Sequence, residues 1–206
     1  MIAIIDYRMG NLRSVQKGLE HAGVPGVVVT GDPTEIRRAD GIVLPGVGGF
    51  YDAAANLKED GTWGVLKERI GEGVPFLGIC LGLQLLADIG HEGGECEGLG
   101  LVPGICERLP AGAKIPHVGW NTVEFPRESP LFSGIEESTA FYFVHSYHFV
   151  PADMGVAIGV TGYGARFVSA IQAGNLFAVQ FHPEKSSKTG LALLANFGRI
   201  VEGRHS

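Results

Sequence analysis

The spacing of apolar residues along this chain changes twice. From Ile2 to Ile5 they run without interruption and stop at Asp6, and the next segment places Leu12, Val15 and Leu19 at helical spacing before Gly23. These patterns predict a strand, a loop and a helix. Val27–Val29 and Ile42–Leu44 predict two further short strands, and Phe50–Ile70 predicts a helical stretch interrupted near Gly61. An apolar run opened by Pro75 predicts another strand. Strands alternating with helices in this way imply parallel strands covered on both faces, with ligands at the carboxyl ends of the strands.

After Ala87 the alternation is lost. Residues His91 to Gly100 are glycine-rich and acidic and read as a mobile surface loop rather than part of an interface. Prolines 103, 110, 116, 126 and 130 then punctuate a strand-like pattern. Thr139 to Val150, TAFYFVHSYHFV, is aromatic and β-branched and reads as one strand. Val156–Val160, Phe167–Ala170 and Leu176–Phe181 follow with short turns, which predicts antiparallel pairing at one side of the sheet. Leu191, Leu194, Phe197 and Val201 place a closing helix over Leu191–Val201. The pattern is that of one domain over residues 1–206.

Candidate chemistry is concentrated at GICLG, Gly78 to Gly82. The apolar run VPFLGI enters Cys80 as a strand and LGLQLLA leaves it as a helix, so Cys80 sits on a nucleophile elbow. Flanking glycines remove the Cβ clashes of such a turn and expose the sulfur above the sheet. A helix start beside it favours the thiolate. The alternative is a small buried hydrophobe, as many unpaired cysteines are. A base for Cys80 is available where LFAVQF runs into His182, Pro183 and Glu184. Alternation along extended backbone points His182 and Glu184 the same way, so that the imidazole can take the thiol proton while the carboxylate fixes its tautomer.

The remaining motifs are weaker. PGVGGF, Pro45 to Phe50, should emerge at the same sheet edge and reads equally as an oxyanion hole of backbone N–H groups or as an ordinary glycine turn. It is not GxGxxG, and no Walker A pattern occurs. His145 and His148 fall on opposite faces of a strand, which disfavours a shared metal. SxxK at Ser14 to Lys17 and KTG at Lys188 to Gly190 lack their companion SDN and read as coincidence. PHVGWN, Pro116 to Asn121, reads as core packing or as a contact surface.

Composition narrows the function classes. Sixteen Lys and Arg against 22 Asp and Glu give a net charge of -6, which argues against a broad phosphate-binding surface and so against nucleic acid. No apolar run approaches a membrane span, and MIAIIDY lacks the basic start and long apolar core of a signal peptide. Cys80, Cys96 and Cys106 form no CxxC spacing, which fits a reducing, cytoplasmic compartment and gives neither a disulfide framework nor a zinc site.

GICLGLQ at Gly78 to Gln84 together with HPE at His182 to Glu184 resembles the class I, triad-type glutamine amidotransferases over essentially the whole chain. PGVGGF, PHVGWN and YFVHSYHF narrow the resemblance to the glutaminase subunits of imidazole glycerol phosphate synthases. The resemblance implies a flavodoxin-like three-layer α/β sandwich, its sheet mostly parallel with antiparallel C-terminal strands. It implies glutamine as substrate, with Cys80 as nucleophile, His182 as proton shuttle and Glu184 as its orienter. It further implies Val47 and Leu81 as oxyanion donors, and Gly48, Gln84, Ser146 and Tyr147 as substrate contacts. The implied partner is a (β/α)8 barrel cyclase, bound as a heterodimer and fed ammonia past Trp120 for histidine biosynthesis; no cofactor or metal is implied. Two rivals remain: a glutaminase or γ-glutamyl hydrolase serving another recipient, and a catalytically silent docking module.

Overall fold

A computed structural model describes residues 1–110, 112 and 114–203. The parallel half runs β1 (Ile2–Ile5), α1 (Leu12–His21), β2 (Val27–Thr30), α2 (Pro33–Arg37), β3 (Gly41–Gly46), α3 (Phe50–Glu59), α4 (Thr62–Gly71), β4 (Phe76–Cys80) and α5 (Leu81–Gln84). The second half contributes β5 (Ile89–Gly90), β6 (Cys96–Glu97), β7 (Gly104–Arg108), β8 (His117–Val123), β9 (Thr139–His145), β10 (Tyr147–Pro151), β11 (Ala157–Tyr163), β12 (Ala165–Ala173), β13 (Leu176–Val179) and α6 (Ser187–Gly203).

The central sheet has the order β11-β12-β13-β4-β3-β1-β2. Its last five strands are mutually parallel, and β12 and β11 add an antiparallel edge. Period-two alternation divides its side chains between two cores. Ala3 and Ile5 face α2, α3 and α4 through Ile36, Leu57 and Leu66, while Ile2 and Ile4 face α1 and α6 through Leu19, Leu194 and Phe197. This gives the three-layer α/β architecture that the sequence led us to expect, including the antiparallel C-terminal strands. Among the described residues, no helix is long and apolar enough to cross a membrane.

Several expectations are corrected in detail. The stretch 139–150 is two strands, because the chain changes sheet at Ser146: His145 pairs with His117 of β8, whereas Tyr147 pairs with Arg108 of β7. An unbroken apolar-aromatic run carries no mark of such a change of partner. The interruption expected near Gly61 is present: Phe50–Ile70 falls into two helices meeting at that glycine, which adopts φ 73°. The helix after Cys80 is a single turn, and α6 begins at Ser187 rather than Leu191. The glycine-rich segment 91–100 is tied down: β6 pairs with β5, and the backbone N–H groups of Gly98, Leu99 and Gly100 donate to Asp88, Leu85 and Ala87.

Candidate active site

The register of β4 with its two neighbours assembles the site. Gly46 of β3 lies opposite Cys80, and Val179 of β13 lies opposite Ile79. The Val47 loop and the segment from Gln180 to Glu184 therefore both leave the sheet beside the sulfur. Cys80 is a non-glycine residue at φ 54°, ψ -104°, a conformation costing about 1–3 kcal/mol that persists only where its surroundings enforce it. The flanking glycines make room for it. A Cβ on Gly82 would overlap the Leu44 carbonyl oxygen, and one on Gly78 would lie 2.8 Å from the Gly82 oxygen. Because α5 is one turn long, its macrodipole is small, and the expected helix-start stabilisation of the thiolate is correspondingly weak. The polar atoms at the sulfur are instead Nε2 of Gln180 at 3.5 Å and the Val144 carbonyl at 3.8 Å.

His182 and Glu184 meet, but through a different local structure from the one expected. His182 is extended, whereas Pro183–Lys185 form a 3₁₀ turn that swings the carboxylate back toward the ring. His182 Nδ1 lies 2.8 Å from Glu184 Oε1, with side-chain exposures of 2% and 0%. The same Oε1 accepts a hydrogen bond from Asn11 Nδ2 at 3.4 Å. Burial alone would lower the pKa of His182, but the Glu184 carboxylate bonded to the ring and the Cys80 sulfur beside it outweigh burial and raise the value to about 10. Nε2 is nevertheless buried with no partner at normal hydrogen-bond geometry among the described residues, so the Cys–His bond is not yet closed. Long catalytic hydrogen bonds of this kind tighten when substrate arrives.

A cavity of about 240 Å³ opens in front of Cys80 and is lined by Val47, Gly48, Leu81, Gln84, Ser146 and Tyr147. All six were singled out in the sequence. The size is below the ~300–1,000 Å³ of drug-sized pockets and suits a small metabolite. A larger open groove of about 530 Å³ runs along Phe125–Ile135 and has Ser129 and Ser133 on its wall but neither a cysteine nor a histidine base. Trp120 does not line the cavity. It stands 55% exposed on the outer face of β8 beside the exposed Val118, with its ring edge-on to Tyr142 at 6.0 Å.

Sequence reading missed three contributors. Glu92, inside the supposed loop, lines the cavity and accepts a hydrogen bond from the Phe50 backbone N–H at the start of α3. Tyr7 donates its hydroxyl to the Pro45 carbonyl at 2.9 Å, anchoring the start of the Val47 loop. Gln180 bridges Cys80 and Gln84. None of these lies in a stretch whose pattern differs from core or loop, so only proximity reveals them.

The far wall holds a second buried histidine arrangement. His145 Nδ1 lies 2.8 Å from the Tyr147 carbonyl, and its Nε2 lies 2.9 Å from His117 Nδ1. Asn121 Nδ2 approaches His117 Nε2 at 3.3 Å. Burial lowers the pKa of His117 to about 4 and, opposed by the bond to Tyr147, that of His145 to about 3. His148 belongs to another strand, and among the described residues no group of three or more His, Cys, Asp and Glu is placed to hold a metal ion.

A family model described as glutamine amidotransferase class-I matches residues 3–201. The chain is 58% identical over 205 residues to the imidazole glycerol phosphate synthase subunit HisH of Moorella thermoacetica, covering 100% of this chain and 96% of that protein. It is 53% identical over 199 residues to the HisH subunit of Aquifex aeolicus, covering 97% and 96% respectively. Its fold is shared with a solved glutamine amidotransferase, with TM-score 0.77, 19% identity and coverage of 98% of this chain and 100% of the other. PurLQS from Thermotoga maritima also shares it, with TM-score 0.76, 19% identity and coverage of 100% and 98%.

Proposed function

The chain belongs to the class I glutamine amidotransferases, and on that premise we propose that it is the glutaminase subunit of an imidazole glycerol phosphate synthase, hydrolysing glutamine to glutamate and ammonia. The observation that carries this reading is the convergence of Cys80, the buried His182–Glu184 pair and a metabolite-sized cavity at the carboxyl edge of one sheet.

In this mechanism the Cys80 thiolate attacks the side-chain carboxamide carbon of glutamine. The oxyanion that forms is held by the backbone N–H groups of Leu81 and Val47. His182 gives its proton to the departing nitrogen, ammonia leaves, and a γ-glutamyl thioester remains on Cys80. Water then attacks the thioester with His182 as base, releasing glutamate and restoring the thiolate–imidazolium pair. Glu184 orients the ring throughout and stabilises the imidazolium each time it forms. Gly48, Gln84, Ser146 and Tyr147 hold the substrate. Every step uses side chains, backbone amides and water.

The proposed partner is a (β/α)8 barrel cyclase joined as a heterodimer, docked over the exposed Val118 and Trp120, with ammonia passing Trp120 on its way across. The free thiols Cys80, Cys96 and Cys106 are consistent with a reducing cytoplasm as the place of action.

The test is glutamate release by the purified chain, first alone and then with the cyclase and its nucleotide ligand, using Cys80→Ala as control. Release that rises in the complex and vanishes in the variant supports both the thiol chemistry and the partner assignment. Full activity in the isolated chain favours a stand-alone hydrolase, and release that survives Cys80→Ala removes the nucleophile from this account.

A further inference from the structure

We infer that Gln180 is a further catalytic residue, whose side-chain amide donates a hydrogen bond to the sulfur of Cys80 and holds it as the thiolate ready for attack. The inference rests on the reading of Cys80 as nucleophile. Gln180 is fully buried, and its position follows from the register that sets Val179 beside Ile79, so the residue just after β13 lies at the end of β4.

The direction of this hydrogen bond is fixed by a backbone carbonyl two links away. Gln84 places one end of its amide 2.9 Å from the Tyr147 carbonyl oxygen. A carbonyl only accepts, so that end of Gln84 is the NH₂. The same nitrogen lies 3.2 Å from one end of the Gln180 amide, which must therefore be its oxygen. The remaining end of Gln180 is the NH₂, and it points at Sγ of Cys80 at 3.5 Å. Flipping either glutamine sets oxygen against oxygen or NH₂ against NH₂ in a buried site. The sulfur consequently receives a donor on this side. The Tyr147 carbonyl is held in place by a second donor, His145 Nδ1, at 2.8 Å, so the polarity is anchored from two directions.

A thiolate needs such a donor here. The helix behind Cys80 is one turn long, and Tyr7, whose ionisation is disfavoured by burial first and by Cys80 second, adds no positive charge. The cationic neighbour is His182, backed by Glu184, and it gives its proton away during the reaction. Glu92, also on the cavity wall, engages the Phe50 N–H through Oε2 and supplies no positive charge. Gln180 is a neutral donor that stays in place through both half-reactions, when His182 is protonated and when it is not.

Gln180→Met keeps the volume and removes the donor. Gln180→Glu keeps an oxygen for Gln84 and sets a carboxylate against the sulfur. The variants are made in the full chain, and Cys80 alkylation by iodoacetamide is followed near neutral pH together with the ultraviolet absorbance of the thiolate, referenced to Cys80→Ala. Because one hydrogen bond to an ion is being removed, the alkylation rate is expected to fall about tenfold in Gln180→Met and further in Gln180→Glu. In the complex, kcat should fall in parallel while KM stays within about twofold. Unchanged alkylation in folded variants overturns the inference. So does a change confined to KM, which would make Gln180 a mere support for Gln84. For variants that do not fold, the side-chain amide resonance of Gln180 in the native chain decides: it should move when Cys80 is changed to Ala, and an unmoved resonance overturns the inference. Alkylation does not depend on glutamine turnover, so a failure of the glutaminase reading is seen separately, as absence of glutamate release from the native complex, and a failure of the nucleophile reading as release that persists in Cys80→Ala.

Discussion

Two buried histidine environments flank the same cavity, and their electrostatics run in opposite directions. His182 and His145 are 1% and 6% exposed, and each has Nδ1 2.8 Å from an oxygen. For His182 that oxygen belongs to the Glu184 carboxylate, which together with the Cys80 sulfur outweighs burial and raises the pKa to about 10. For His145 it is a backbone carbonyl, the other nitrogen meets a second histidine, and burial lowers the pKa to about 3. Burial disfavours the charge on both rings; beside His182 a carboxylate and the Cys80 sulfur overcome it, whereas beside His145 a neutral carbonyl does not.

The largest break in this contrast is Glu184→Gln, which gives His182 a neutral neighbour like that of His145. The ring should keep its position while losing most of its preference for the proton, and kcat/KM of the complex should fall about 10³-fold, roughly 4 kcal/mol. Steady-state kinetics across pH would measure it. A loss below about tenfold would mean that the carboxylate only positions the ring.

Next in size is loss of the neutral pair. His145→Phe leaves Nδ1 of His117 without its acceptor in a site that is 2% exposed, and should cost about 2–3 kcal/mol of stability in urea unfolding. Adding His117→Phe should cost much less than the first change, because the orphaned donor goes with it. His117 already stacks on Phe143 and Tyr163, so an aromatic ring fits there. Strict additivity of the two changes would deny that the histidines act as a pair.

A titration sharpens the contrast without mutation. The unfolded chain takes up protons on these histidines near pH 6.5, whereas folded His117 and His145 take them up near 4 and 3. Their contribution is thus present above 6.5 and is lost as pH falls, by about 1.4 kcal/mol per pH unit for each histidine until the folded pKa is reached. His182 has the opposite sign: its contribution is present below 6.5 and is lost as pH rises through about 10. Stability should decline on both sides of neutrality, and the acid limb alone should flatten in the double Phe variant.

How far the sequence announced these two environments differs for a physical reason. Cys80 and His182 stand at the ends of apolar strands flanked by glycine or proline, and such junctions are written in local pattern. His117 and His145 gain their meaning from a pairing register between β8 and β9 that no local pattern encodes. The change of sheet at Ser146 was hidden for the same reason, as were Tyr7, Glu92 and Gln180, whose partners are 38, 42 and 100 residues away. The short α2 escaped because five residues with one buried apolar side chain show no periodicity, although Asp32 caps it through the Thr34 N–H. The α/β class, the elbow and the cavity wall were legible because each rests on spacing within one element or on motifs matched whole.

The smallest expected effect tests where the neutral environment ends. Asn121 closes the chain of hydrogen bonds on the outer strand, donating through Nδ2 toward His117 Nε2 at 3.3 Å and to the Gly162 carbonyl at 3.0 Å. It sits next to the exposed Trp120 and is itself partly exposed, so water can replace its amide. Asn121→Ala should therefore cost about 0.5–1 kcal/mol, well below His145→Phe, and leave the acid limb of the stability curve almost unchanged. If it cost as much as the buried histidine, the hydrogen bonds from Asn121 to the Tyr147 carbonyl would be acting as one unit. A disturbance at the exposed face of β8 would then reach Gln84, Gln180 and the sulfur beyond them.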